Sequence, residues 1–201
     1  MNATRKATTA EQQVDELVRQ IQVDPVYVAR EIFNHKVLPG ESTLDQNSDA
    51  SWELDAWQVE LLEAIGDVRR KQLGMPTVRN HEGLNYFSVL AMHGPGKTHM
   101  VALVANIFGL GYECRIVVTA PKFTQLTTRF MPAFRKVKNR AEPWVRALID
   151  DGDRKVTWGG NKDWCMLLET ASKPENLAGH HDRFLLVVVE EATGVPESLW
   201  P

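Results

Sequence analysis

The sequence is poor in cysteine: two in 201 residues, Cys114 and Cys165, with no metal-spaced pair. This argues against a structural disulfide framework, and a reducing compartment is expected. No apolar run approaches the roughly 18 residues a spanning helix needs, so membrane insertion by a helix is excluded. The opening stretch, MNATRKATTAEQQ, lacks an apolar core and predicts no secretory signal. There is no internal repeat and no low-complexity tract. Nor is there a large excess of one charge: the formal net charge is −3, so nothing global announces nucleic acid or membrane. What is present is ordinary for a globular protein. Hydrophobic residues make up 43% and charged residues 24%, which argues against disorder. The length suits one domain with an appendage.

The charge is unevenly placed. Residues 1–60 hold eleven acids and five Lys/Arg, whereas residues 121–140 hold Lys122, Arg129, Arg135, Lys136, Lys138 and Arg140 with no acid. Such a basic stretch fits either a solvated helix face or a phosphate-contacting surface. Apolar spacing predicts a helix over residues 8–22, with Thr8 and Glu11 at capping-box spacing and Val14, Leu17, Val18 and Ile21 on one face. Asp24-Pro25 opens a second helix to about Asn34. Residues 38–51 read as a linker. A helix over about 55–73 carries Trp57, Leu61, Ile65 and Val68 on its apolar stripe and ends at Gly74. Residues 75–84 read as a second loop. Beyond it, strands are expected at 86–92, 115–119, 155–158, 163–169 and 184–189. Helices are expected at 97–109, 121–139 and 142–150, the middle one kinked or divided at Pro132. Apolar strands alternating with helices predict an α/β fold with a mostly parallel sheet covered by helices on both faces. An N-terminal helical segment and linker (1–50) precede that core (51–201).

Three motifs carry chemistry. Residues 91–98, Ala-Met-His-Gly-Pro-Gly-Lys-Thr, fit a phosphate loop between an expected strand and an expected helix. Backbone N–H groups and the helix dipole would face a polyphosphate. Lys97 would reach the outer phosphates, Thr98 would ligate Mg²⁺, and Gly94 and Gly96 would let the backbone approach. Ala91 stands where glycine is usual, and Pro95 removes one N–H donor. The alternative is a chance glycine-rich turn. Second, the strand Leu185–Val189 runs into Glu190-Glu191. Two acids at the carboxyl end of a buried strand are costly as packing but useful where ligands bind. Glu190 would hold the Mg²⁺ shell, and Glu191 would orient or deprotonate an attacking water. By themselves they could be acids favoured at a helix start. Third, Asp55-Ala56-Trp57-Gln58 opens a helix. The Gln58 amide can pair with both edges of adenine or simply face water, and Trp57 belongs to the apolar stripe.

In order along the chain, Asp55–Gln58, Ala91–Thr98, Thr119-Ala120-Pro121 with Gln125, Ala178-Gly179-His180-His181 and Glu190-Glu191-Ala192-Thr193-Gly194-Val195-Pro196 resemble the ATPase half of the large terminase subunit of tailed bacteriophages. The match spans about residues 25–201, and the last two segments are its most specific part. The resemblance implies a P-loop NTPase of the additional-strand, RecA-like type that hydrolyses ATP with Mg²⁺ to drive double-stranded DNA into a procapsid in the host cytoplasm. It also implies a homo-oligomeric ring, a portal protein and a small terminase subunit as partners. By carry-over, Gln58 reads adenine, Ala91, Met92, His93, Gly94, Pro95, Gly96, Lys97 and Thr98 cradle phosphate, Thr98 and Glu190 hold metal, and Glu191 is the catalytic carboxylate. The family's metal-binding acid is usually Asp, so Glu190 departs from it. His93 lies where the family often has an arginine, so an arginine finger is expected elsewhere, with Arg129 the candidate. The sequence stops ten residues after Glu191, before the family's coupling motif and nuclease domain. A helicase-like translocase and a nucleotide-binding assembly module without turnover are the alternatives.

Overall fold

The computed structural model describes residues 10–37, 53–79, 86–90, 96–170 and 182–194, with side chains from residue 12 and excepting residues 36 and 37. Helix α1 (Ala10–Val23) leads into α2 (Pro25–Tyr27), which widens into a π-helical turn over Val28–Ile32. Asp24 caps α2 as its position before Pro25 predicts: its Oδ1 accepts the Tyr27 N–H at 3.0 Å. Short strands β1 (Lys36–Val37) and β2 (Glu53–Leu54) pair in parallel. Helix α3 (Ala56–Gln72) stops at Gly74, whose φ is +66°. The Met75 N–H reaches the Arg70 carbonyl and the Gly74 N–H that of Lys71, a Schellman closure.

Helix α4 (Lys97–Gly111) is followed by strand β3 (Arg115–Ala120). Next come α5 (Phe123–Gln125), a π-helical turn over Leu126–Phe130, and α6 (Met131–Arg140). The division falls where Pro132 predicts it: a ring without an N–H cannot continue a regular helix. Leu126, Phe130, Phe134 and Val137 are all buried, as their spacing requires. Helix α7 (Pro143–Leu148) runs into strands β4 (Ile149–Asp151), β5 (Lys155–Trp158) and β6 (Asn161–Thr170), and β7 (Leu185–Val189) is the last.

The sheet order is β4-β5-β6-β3-β7. Here the structure corrects the expectation of a mostly parallel sheet. β3 runs parallel to both β6 and β7, but β4–β5 and β5–β6 are antiparallel, so the sheet is mixed. The reason is Gly159-Gly160, with φ of +59° and +70°. Two adjacent residues in the left-handed region make the tight turn of a hairpin, not a crossover.

Both faces of the central strands are buried: Val117, Thr119 and Cys165 on one face are as inaccessible as Ile116, Val118 and Met166 on the other. Ile116, Val118, Ala120, Met166, Leu168 and Val188 lie on one face and join a single cluster with α4, α6 and α7. The neighbouring face of β7 carries Leu185 and Val187, both exposed. Gly109 of α4 is in contact with Trp158: a Cβ there would meet the indole at 2.1 Å. The Trp164 Nε1–H donates to the Gly109 carbonyl at 2.7 Å.

Two amphipathic readings shift. On α1 only Ile21 of the expected stripe is buried, and Val14, Leu17 and Val18 are exposed. On α3 the fully buried positions are Gln58, Leu62, Ala64, Gly66 and Asp67, so the inward face is rotated from the Trp57–Val68 stripe. Residues 86–90, expected as a strand, form no strand, and Tyr86 and Leu90 are exposed. The Thr8–Glu11 capping box, the 38–51 linker, residues 91–95 and residues 178–181 lie outside the described residues.

Candidate active site

The parallel register of β3 and β7 puts Thr119 beside Val189. The ladder continues one residue beyond β7, because the Glu190 N–H donates to the Thr119 carbonyl at 2.8 Å. The chain then turns sharply through Glu191, whose φ of +52° is unusual for a residue with a side chain. A short 3₁₀ turn, Ala192–Gly194, returns it to Pro121, and a Cβ on Gly194 would lie 2.7 Å from the Pro121 ring. The Thr119-Ala120-Pro121 and Glu190–Gly194 segments are thus packed together at the carboxyl edge of the sheet.

Helix α4 begins at the same edge. Gly96 precedes it with φ +75°, a conformation glycine adopts without strain, and accepts the Met100 N–H at 2.8 Å. Lys97 and Thr98 occupy its first turn, where backbone N–H groups have no intrahelical acceptor. The Thr98 side chain lies close enough to the Glu190 carboxylate to favour its ionised form. Burial pushes the Glu190 carboxyl above its usual range; the Thr98 side chain opposes this and the adjacent Glu191 adds to it. The Arg129 and Lys97 charges act the other way. Glu190 Oε1 is buried, and no described group bonds it; the Thr119 hydroxyl is in the same condition.

This arrangement fits a hard divalent cation. It offers one hydroxyl and one carboxylate in contact, with an orphaned carboxylate oxygen. Among the described residues no cluster of three or more His, Cys, Asp or Glu could enclose a metal. Mg²⁺ does not need one, since it keeps waters and takes substrate phosphate oxygens.

Glu191 is held from two sides. Gln125 Nε2 and Arg129 Nη1 each donate to one of its carboxylate oxygens. Sequence spacing alone gave no such role to Gln125. Glu191 and Arg129 therefore meet within one chain.

Gln58 is buried, and its Oε1 accepts the Asp55 N–H at 2.9 Å, closing the start of α3. That leaves its amide NH₂ beside Gly96, where a Cβ would stand 3.2 Å from Nε2. Gln58 thus adjoins the end of the expected phosphate loop. Trp57 packs against the core. Ala91, Met92, His93, Gly94 and Pro95 are outside the described residues.

Behind Thr98, His99 Nε2 and His35 Nε2 lie 2.9 Å apart. His35 Nδ1 faces the Phe33 carbonyl at 2.9 Å, so Nδ1 must carry the proton there. Its Nε2 then accepts, and the His99 Nε2–H donates. Burial pushes both imidazoles down to about 4. His35 is lowered further by His99, and His99 by Lys136 and Arg140. The neutral pair ties the N-terminal segment to the first turn of α4.

Much of the basic segment is engaged within the chain. Arg135 and Lys138 both reach Asp151, Arg135 also approaches Asp153 at 3.4 Å, and Arg140 donates to the Asn34 carbonyl at 2.9 Å. Lys122 and Lys136 are exposed. Comparison of the chain with protein-family models, with curated proteins and with solved structures finds no match.

Proposed function

We propose that the chain is an ATP-hydrolysing domain of the P-loop type. The observation that carries this reading is the Thr98–Glu190 contact. It brings the start of α4, which carries Lys97 and Thr98, to the carboxyl edge of β7, which Glu190 and Glu191 follow. Two motifs separated by some ninety residues have no packing reason to converge on an orphaned carboxylate oxygen.

In this reading the N–H groups of the first turn of α4 and its dipole bind the phosphates. Lys97 offsets the charge on the outer phosphates. Thr98 and Glu190 would hold Mg²⁺, which would supply positive charge to the phosphate oxygens. Glu191 orients the attacking water and accepts its proton on a carboxylate oxygen. The Gln58 amide contacts adenine, and Arg129 is the cation available to the transition state. The motif resemblance extends the proposal to a packaging motor acting on double-stranded DNA at a procapsid in the host cytoplasm, in a ring of copies with portal and small-subunit partners.

An assembly module without turnover is the second reading, favoured by the Arg129–Glu191 ion pair. Titration calorimetry with ATP·Mg²⁺ tests the nucleotide site. Binding by the parent chain and its loss in Lys97→Ala are expected; equal affinities overturn the proposal. Phosphate release by the parent, lost in Glu191→Gln with binding retained, separates turnover from the module.

A further inference from the structure

We propose that His35 is a positioning residue for the phosphate-binding turn: through His99 it fixes the first turn of α4, which makes the N-terminal helical segment a working part of the nucleotide site. The inference rests on the nucleotide reading of that turn and deepens it.

The first turn of α4 needs an anchor from outside the helix. It is entered through Gly96, whose φ of +75° suits a residue without a side chain. The leading N–H groups of a helix have no intrahelical acceptor, so helix bonding alone braces this turn least. Lys97, Thr98 and His99 are its first three residues. His99 Nε2 lies 2.9 Å from His35 Nε2, and that bond ties the turn to another element. Without it the turn is free to shift about Gly96 and to carry Lys97 and Thr98 away from the phosphates. A misplacement of about 1 Å is enough to weaken a site steeply.

His35 suits the task because it is itself fixed. The π-helical turn Val28–Ile32 stops at Asn34, whose φ of +54° lies in the left-handed region that few residues with a side chain hold. The His35 N–H closes back on the Ala29 carbonyl at 2.9 Å, a Schellman-type stop with asparagine in the place glycine usually takes. The stop is braced by the end of α6 and the start of α7. Asn34 Nδ2 donates to the Arg140 carbonyl at 2.7 Å, and Arg140 Nη2 donates to the Asn34 carbonyl at 2.9 Å. The Glu142 N–H donates to the Ile32 carbonyl at 2.9 Å. The ring orientation follows. With Nδ1–H on the Phe33 carbonyl, Nε2 presents its lone pair to His99. His35 is 3% exposed, so water does not compete for that bond. A π turn and a left-handed asparagine are both departures from regular backbone, and both sit at the joint that delivers His35 to the site. Departures of this kind cluster where function keeps them.

The test compares three variants of the full chain. His35→Leu keeps bulk and removes the acceptor. His35→Gln restores an acceptor oxygen. Val28→Ala loosens the same segment and leaves both imidazoles in place. Titration calorimetry with ATP·Mg²⁺ should find affinity about tenfold or more weaker in His35→Leu and close to parental in His35→Gln. Val28→Ala should bind as the parent does, although its urea midpoint falls. Three results overturn the proposal: parental affinity in His35→Leu, no recovery in His35→Gln, or a loss in Val28→Ala as large as that in His35→Leu. Should His35→Leu not fold, His99→Phe removes the donor from the other side, and parental affinity there overturns it. A second readout needs no nucleotide. In NMR spectra of the isotope-labelled free chain, the Lys97 and Thr98 amide signals should move in His35→Leu and return toward their parental positions in His35→Gln; unmoved signals overturn the positioning role. If the parent binds no ATP·Mg²⁺, the nucleotide reading falls, while those amide signals still decide whether His35 positions the turn.

Discussion

Two carboxylates, Asp151 at the β4 end of the sheet and Glu190 at the β7 end, meet opposite treatment. Asp151 lies between Lys138 and Arg135. Burial works against its ionisation, but those two hydrogen bonds outweigh it and hold the carboxyl below its usual range. Glu190 is also half-buried, with a buried oxygen that no described group bonds, so burial prevails and its carboxyl is held high. The difference separates a carboxylate paired with two cations from one with an oxygen left short of a partner. The β4–β5–β6 side is closed by a tight hairpin, a stacked Trp158–Trp164 pair and a satisfied ion cluster. The β3–β7 edge collects a left-handed glutamate, two unpartnered oxygens and an exposed Arg129–Glu191 pair. Polar groups left short of partners in a folded core are expected where a ligand completes them.

The largest effects should therefore come from the closed side. Trp158 is fully buried, touches Gly109 and meets Phe134 edge-on. Trp158→Ala should cost about 3–5 kcal/mol, read as the shift of the urea midpoint. Its indole N–H is buried, and no described group accepts it. Trp158→Phe should therefore cost far less, below about 1.5 kcal/mol, since it keeps a ring and removes an unpaired donor. Equal losses for the two variants would mean that packing around the indole is not what closes this side.

Acid should strike next, at the junction behind the site. His35 and His99 are held down to about 4 from an ordinary 6.5. A lowered folded value means that the neutral pair contributes stability above pH 6.5, and that this is lost as pH falls from 6.5 toward 4. By linkage the first proton costs about 3 kcal/mol over that window. Chemical denaturation across it should show a falling stability that His99→Gln flattens. Asp151 behaves as a separate, more acidic device. Its stabilisation is present above the ordinary carboxyl value of 3.8 and disappears as pH falls through its lowered folded value. Asp151→Asn should cost about 1–2 kcal/mol at neutral pH, discounted because Arg135 is partly exposed. It should leave the histidine slope untouched. A single merged acid transition that responds to both variants would break the separation between the two regions.

How much of this was legible in sequence divides along the same line. The start of α4, the Asp24 cap, the Gly74 stop, the division at Pro132 and the acids after β7 each follow from local chemistry, and the structure has them. The hairpin was also written locally. Gly159-Gly160 between two β-forming runs is a tight-turn signal, but the rule that strands alternating with helices pair in parallel overrode it. Local spacing could not foresee that Gln125 would meet Glu191, because that contact depends on β3 and β7 being neighbours. The α1 stripe misled for a related reason: periodicity says which side chains share a face, not whether anything packs on it. Residues 86–90 have strand-forming side chains, but a strand requires a partner, and they pair with none of the described strands.

The smallest expected effect on stability discriminates most sharply. Glu190→Gln removes a charge from a buried position where burial already disfavours it. The amide keeps a carbonyl oxygen beside the Thr98 side chain. Stability at neutral pH should therefore be unchanged or rise by up to about 1 kcal/mol, as is common where a binding site gives up stability for function. Mg²⁺-dependent nucleotide affinity should fall in the same variant, because a neutral oxygen is a poorer ligand for a hard cation. Thermal unfolding without ligand and calorimetry with ATP at varied Mg²⁺ supply the two readouts. A stability loss with unaltered Mg²⁺ dependence would place Glu190 with Asp151 as a structural carboxylate, and the contrast between the two ends of the sheet would disappear.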